Sequence, residues 1–244
     1  MGGTNSTDQT LHAAEIGKWR KTLPTGSAHY VHRAFRQVLA YAVRCRYLSE
    51  NPAALIQNPR PKREEIRAFG SWHDIHSLAA ELPPAFRAIP PFVAGTGLRP
   101  EEWIALERRD VDREGRVVSV GRVFTDGRVK DCGKTERSRR RIPMRRVVTE
   151  ALDAMPGRLD TPLVFPSVTG GHLDLHNFRA RHWKAALRAA GLDYRPPNAL
   201  RHTYASFSIA AGISLFALAR RMGTSVEMID ATYGHLAPDA DEYE

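Results

Sequence analysis

A chain of 244 residues has room for one large domain or two modest ones. Its 42% hydrophobic and 26% charged residues exclude wholesale disorder and fibrous repeats. No apolar run reaches the ~18 residues of a membrane span, and the opening MGGTNSTDQT carries no apolar signal core. Lys and Arg outnumber Asp and Glu by 36 to 27, a formal net charge of +9 that suits a polyanionic partner. Cys45 and Cys132 are too few for a disulfide framework or a zinc site, and they read as reduced thiols in a cytoplasmic protein. The acylation-like Met1-Gly2 with Ser6 and the acceptor-like Asn5-Ser6-Thr7 are too short to weigh against that reading.

Residues 1–10 are small and polar and read as an unstructured lead, with helix beginning near Leu11. The clearest periodicity runs from Ala28 to Tyr47. Val31, Ala34, Phe35, Val38, Leu39, Ala42 and Val43 fall on one expected core stripe, and Arg33 and Arg36 on the remaining faces. Asn51-Pro52 ends this element. Two prolines and dense charge over 58–67 read as a linker, which divides the chain into 11–57 and 68–244.

In the second part, Ser71 with Asp74 forms an expected capping box for a helix carrying Ile75, Leu78 and Leu82. Gly95-Thr96-Gly97 breaks the next helical stretch. Pro100-Glu101-Glu102 opens another, with proline just inside the start and acids in the first turn. From Arg116 to Met144 the pattern changes to strands. Val117–Val120 and Val123-Phe124 before a turn at Asp126-Gly127, then a short run at Val129 and another over 139–143, predict a three-stranded antiparallel sheet, with Lys134 in the turn before its last strand. Helix returns beyond Arg145, so the expected class is mostly α with one small sheet (α+β). His172, Asp174 and His176 alternate like metal ligands on a strand, but Asp174 makes better sense as the N-cap of a helix containing Phe178 and Trp183.

Three clusters stand out: Gly95-Thr96-Gly97-Leu98-Arg99 with Glu102; Leu200-Arg201-His202-Thr203; and Met222-Gly223-Thr224 followed by Thr232-Tyr233-Gly234-His235; Lys134-Thr135, leading into Arg139-Arg140-Arg141, lies between the first two. In this order and at these separations they resemble the boxes of the tyrosine recombinases, the phage integrase family of site-specific recombinases. The resemblance spans about residues 70–236. It implies Tyr233 as nucleophile, Arg99 and Arg201 as a phosphate clamp, and Lys134 as general acid. Glu102 either orients an arginine or simply serves the helix dipole. The resemblance also implies double-stranded DNA carrying a recombination site as partner, a homo-oligomeric, tetrameric synapse, and strand exchange without metal, cofactor or ATP. Arg33, Arg36, Arg139 and Arg140 are the expected phosphate-facing residues.

Two positions depart from the family pattern. Asn198 stands where a histidine usually precedes the second arginine, and Thr224 stands where histidine or tryptophan usually follows the Met222-Gly223 pair. Each offers hydrogen bonds but cannot move a proton near neutral pH. Assistance to Tyr233 therefore falls to His202 or His235, and restoring histidine at 198 is expected to speed cleavage. Residues 11–57 supply about two helices of a DNA-clamping part that the family builds larger. Three readings stay open: a recombinase, a relative that binds DNA without cleaving it, and a helical protein for RNA or a protein partner.

Overall fold

The computed structural model describes residues 11–60, 67–131 and 139–236. The chain divides into two compact units, residues 1–65 and 66–244.

The first unit pairs helix α1 (Ala13–Thr22) with helix α2 (Thr25–Arg44), closed by a 3₁₀ turn over Pro52–Leu55. Its small core joins Ile16, Leu39 and Ala53 with Phe35, Leu48 and Ile56, and Trp19 tilts against Phe35 at 5.0 Å between ring centroids. Asn51 starts the 3₁₀ turn by accepting from the Ala53 N–H and donates to the Arg36 carbonyl. Asn58, within the stretch expected to be a linker, accepts from Arg20 and donates to the His29 carbonyl.

The buried side of α2 differs from the stripe expected of it. His32, Phe35 and Leu39 face inward, whereas Val31 and Val38 are exposed together with Tyr30 and Tyr41. Two apolar stripes lie one residue apart on this helix, and what packs against it selects between them.

His32 is fully buried, and among the described residues neither ring nitrogen has a hydrogen-bond partner. Burial, then the charges of Arg20 and Arg36, then His29 hold its pKa below the usual 6.5. The unfolded chain takes up this proton as pH falls through 6.5 and the folded chain resists it, so stability is lost on the acid side. His32→Leu is expected to remove that loss: melting temperatures measured between pH 7.5 and 5.5 should fall for the native protein and fall less for the variant. Parallel declines would show that His32 does not set the acid sensitivity.

The second unit opens with α3 (Trp72–Glu81), capped by Ser71, whose hydroxyl accepts from the Asp74 N–H at 3.1 Å. Helix α4 (Ile89–Thr96) follows, and every one of its residues is buried. Its single polar side chain, Thr96, satisfies itself on the Phe92 carbonyl at 2.8 Å. Such a helix is surrounded on all sides, here by α3, by α6 (Arg146–Asp153) and by α9 (Ala199–Ala210). Gly95 makes the α6 contact possible, since a Cβ there would lie 2.4 Å from Val148.

Helix α5 (Pro100–Ile104) leads into the short strands β1 (Val111–Asp112), β2 (Val117–Val120), β3 (Arg122–Thr125), β4 (Arg128–Asp131) and β5 (Arg140–Pro143) of the described residues. The three-stranded antiparallel sheet runs β1-β2-β5, and β3-β4 form a separate hairpin. The sheet therefore recruits Val111–Asp112 in place of the expected 123–129 strands. Val118, Val120 and Ile142 bury its inner face, with Val118 opposite Ile142. Lys134, expected in the turn before β5, lies outside the described residues.

The remaining elements are α7 (Leu175–Phe178), continued by a π turn over Arg179–Trp183 into α8 (Lys184–Ala189), then α9, α10 (Leu215–Met222), α11 (Val226–Tyr233) and a 3₁₀ turn over Gly234–Leu236. Asp174 caps α7 on the Asn177 N–H, and the His172 ring stacks on Phe124. No group of three or more His, Cys, Asp or Glu among the described residues is placed to hold a metal ion. No helix among them is long and apolar enough to cross a membrane.

Candidate active site

Two glycines prepare the site. Helices α4 and α10 both end on a left-handed glycine, Gly97 at φ 67° and Gly223 at φ 62°. Side chains other than hydrogen are strained there, and at Gly97 a Cβ would also strike the Tyr204 ring at 2.3 Å. The turns present backbone carbonyls from the negative ends of two helices, where a cation is favoured. Arg201, on the first turn of α9, donates to the Gly97 carbonyl at 2.5 Å and to the Met222 carbonyl at 2.7 Å. Arg99, the N-cap of α5, donates to the Gly223 carbonyl at 3.0 Å. Thr203 anchors α9 from within: its hydroxyl bonds the Ala199 carbonyl and accepts from the Phe69 N–H, each at 2.9 Å.

Glu102 resolves the alternatives left open for it by doing both. Its carboxylate caps α5 by accepting the Arg99 N–H at 2.8 Å and also accepts from the Arg99 guanidinium at 3.0 Å. A second arginine completes it. Arg140, on β5, donates two parallel bonds to the same carboxylate, at 2.8 and 2.7 Å, and a third to the Arg221 carbonyl at 2.7 Å. Burial alone would raise the Glu102 pKa; the Arg140 bonds and charge, with the Arg99 N–H, outweigh it and keep the group ionised.

Arg140 was expected on an open phosphate-facing surface, and instead its side chain is only 6% exposed and spent on Glu102. The periodicity of β5 carried the clue. Arg140 and Ile142 share a face of the strand, and Ile142 is in the core.

Two guanidiniums bind the one carboxylate and a third, Arg201, lies within electrostatic reach of all of them, which leaves excess positive charge in a largely buried place. Burial and the repulsion of Arg99 and Arg140 lower the Arg201 pKa to about 10, still charged at neutral pH. Beside them opens a cleft of about 860 Å³ lined by Arg139, Arg140, Arg141, Arg220 and Arg221, with Thr224 on its wall.

Tyr233 ends α11, 6% exposed, with its ring packed in a cluster that includes Tyr204, Leu218 and Ile229. Burial pushes its phenol up to about 12, against a smaller opposing pull from Arg201. Its hydroxyl is hydrogen-bonded to His202 Nδ1, and His202 Nε2 lies 3.0 Å from the Asn198 side-chain amide.

Thus Arg99, Glu102, Asn198, Arg201, His202 and Tyr233 are drawn together, with Thr224 at the edge. His235 is exposed on the turn beyond Tyr233. Arg139 is exposed and 3.9 Å from Asp131. Arg33 and Arg36 are exposed on α2 in the other unit.

The fold and this cluster define a class. Residues 74–239 match the model of the phage integrase family. The chain belongs to that family, the tyrosine recombinases of site-specific recombination. Among curated relatives it is 28% identical to tyrosine recombinase XerC of Corynebacterium efficiens, over 92% of this chain and 70% of the relative. It is 27% identical to tyrosine recombinase XerC of Myxococcus xanthus, over 76% of this chain and 63% of the relative. Two further relatives, a phage integrase and a XerC-like recombinase, are spanned for only 54% and 59% of their lengths. The fold is shared with the Tn1549 transposon integrase solved with circular intermediate DNA, at TM-score 0.78 and 18% identity over 96% of this chain and 84% of that one. It is also shared with a lambda integrase tetramer bound to a Holliday junction, at TM-score 0.66 and 14% identity over 88% and 64%.

Proposed function

We propose that the protein cleaves and rejoins duplex DNA at a specific site through a covalent 3′-phosphotyrosine on Tyr233. The observation that carries this reading is Arg201 fixed on two backbone carbonyls next to Arg99 and Arg140, which share the Glu102 carboxylate, with the phenol of Tyr233 within electrostatic reach of Arg201. A phosphodiester is anionic, and attack at phosphorus concentrates further charge on its non-bridging oxygens. Arg99 and Arg201, fixed on backbone carbonyls, supply preorganised donors for that charge, and their fork geometry suits phosphate better than a lysine. The Tyr233 oxygen forms the new bond to phosphorus and the 5′ oxygen departs with its bonding pair. Lys134 supplies the proton to that oxygen. Because the phosphotyrosine keeps the ester linkage, a 5′-hydroxyl can reverse the step and rejoin a strand without ATP. The bond pattern around Glu102 and Arg140 supports the working site over the reading of a remnant, since it holds the clamp ready.

A nicked duplex whose cleavage releases a short 5′-hydroxyl fragment traps the protein on the new 3′ end, visible as a slow-migrating band in a denaturing gel. The band is expected with DNA carrying the protein's own recombination site; its absence on every candidate site, with binding intact, favours a relative that binds and does not cut. Binding itself should be steeply salt-sensitive, with log affinity falling against log salt at about −0.9 per phosphate neutralised. A flat response would remove duplex DNA as the partner. The tetramers and dimers of the structural relatives point to a homo-oligomer on DNA.

A further inference from the structure

We infer that His202 takes the phenolic proton of Tyr233, and that Asn198 is the positioning residue that holds the imidazole in the tautomer able to do so. The inference deepens the phosphotyrosine reading and rests on it. His202 touches the reacting oxygen through Nδ1, and its other nitrogen faces Asn198 at 3.0 Å. Asn198 is the N-cap of α9, yet its side chain makes no capping bond. Asparagine at an N-cap normally accepts from a backbone N–H of the first turn; here the amide is turned four residues along to His202 instead.

The chemistry follows from what a neutral imidazole offers, one N–H and one lone pair. Burial and the neighbouring Arg201 push His202 down to about 4, so at pH 7 it is neutral. As placed, it is the Asn198 amide nitrogen Nδ2 that lies 3.0 Å from Nε2, and a half-turn of the amide, which exchanges oxygen and nitrogen at nearly the same positions, sets its oxygen there. With the Asn198 oxygen on Nε2, the ring proton sits on Nε2 and the Nδ1 lone pair faces the phenol. The Tyr233 O–H bond then breaks to an N–H bond on Nδ1, and the freed oxygen pair forms the O–P bond. The P–O5′ bond breaks, with its electrons on the 5′ oxygen. The imidazolium keeps both protons, held by Tyr233 and by the Asn198 oxygen. On rejoining, it returns the proton to the departing Tyr233 oxygen.

The charged group facing His202 is Arg201 on its own helix, and the titratable group across from it is the neutral phenol of Tyr233 on α11. A phosphodiester seated on Arg201 offsets the charge that depresses the imidazole, so His202 gains basicity when DNA is in place. The proton acceptor is thus linked to substrate occupancy.

Two measurements test this. In histidine-labelled full-length protein, nitrogen-15 shifts of His202, assigned with His202→Gln, should show the proton on Nε2 near pH 7. A proton on Nδ1, donating to the phenol, overturns the inference whatever the activity. In single-turnover cleavage, His202→Gln should lower the rate by about 10² or more while duplex binding is unchanged. The defect should persist on a substrate with sulfur at the departing 5′ position, where the leaving group needs no acid. Asn198→Asp, by stabilising the imidazolium, should move the acid limb of the pH–rate profile upward; a merely structural asparagine would leave the limb in place. A normal Tyr233 adduct with an unimpaired His202→Gln overturns this assignment and leaves the phosphotyrosine reading standing. Absence of any Tyr233 adduct in the native protein overturns both.

Discussion

Covalent capture of nicked DNA is expected to vanish in Tyr233→Phe while duplex binding stays nearly unchanged. The substitution removes one oxygen and keeps the ring that packs among Tyr204, Leu218 and Ile229, so α11 loses no apolar burial. On the proposed reading it deletes the atom that forms the ester to phosphorus, and no partial activity compensates for an absent nucleophile. The loss of the His202 bond leaves one half-buried imidazole nitrogen to seek water, a cost of about 1–3 kcal/mol at most. Denaturing gels on the nicked substrate, with a salt-matched binding assay alongside, separate these effects. A covalent band in Tyr233→Phe would mean that another residue attacks and that the site has been assigned wrongly.

The second large effect is expected at Arg201. Arg201→Lys keeps a positive charge but gives up the two-pronged attachment to the Gly97 and Met222 carbonyls. A lysine ammonium is a single, strongly hydrated point charge, and it cannot hold two carbonyls and a phosphate in fixed directions. Losing one preorganised donor to the developing charge typically costs about 10²–10³ in rate, so single-turnover cleavage should fall by at least 10². Part of any loss comes from folding, because the two carbonyls are left short of a partner at about 1–3 kcal/mol each. A thermal melt of the same variant measures that part. Cleavage within tenfold of the native rate, in a variant that melts normally, would remove Arg201 from the clamp.

The assignment proposed for His202 carries a different expectation for position 198. Histidine at position 198 was expected to restore proton transfer, but the Asn198 amide is already committed to His202. Asn198→His exchanges the amide for a second imidazole against the first. Under the assignment of His202 it should slow cleavage rather than speed it.

How much of this was legible in the sequence follows from how local each feature is. The capping residues Ser71 and Asp174, the glycine that ends α4, and the proline-first, acid-rich start of α5 are decided within a few residues, and each stands where the local chemistry puts it. The four boxes are equally local, so the family was readable from them. The pairing of Asn198 with His202 was within reach too, since residues four apart meet on one helix face.

The rest depended on what packs against what. The apolar stripes of α2 differ by one residue, and only contact with α1 and the 3₁₀ turn turned His32 and Leu39 inward in preference to Val31 and Val38. Strand identity was visible, but sheet membership was not: a two-residue strand at 111–112 carries almost no periodic pattern, and its pairing is determined by the partner β2. Arg140 is the strongest case. Alternation with Ile142 turns it inward, unlike Arg139 or Arg141, but nothing local says what it meets there. It becomes part of the site because β5 points it at a carboxylate 38 residues away in the chain, next to carbonyls from α10. Local backbone preferences and hydrogen bonds act over three or four residues and are written in the sequence directly. A shared buried carboxylate is a balance of charge among distant segments, and only the packed fold decides which of them meet there.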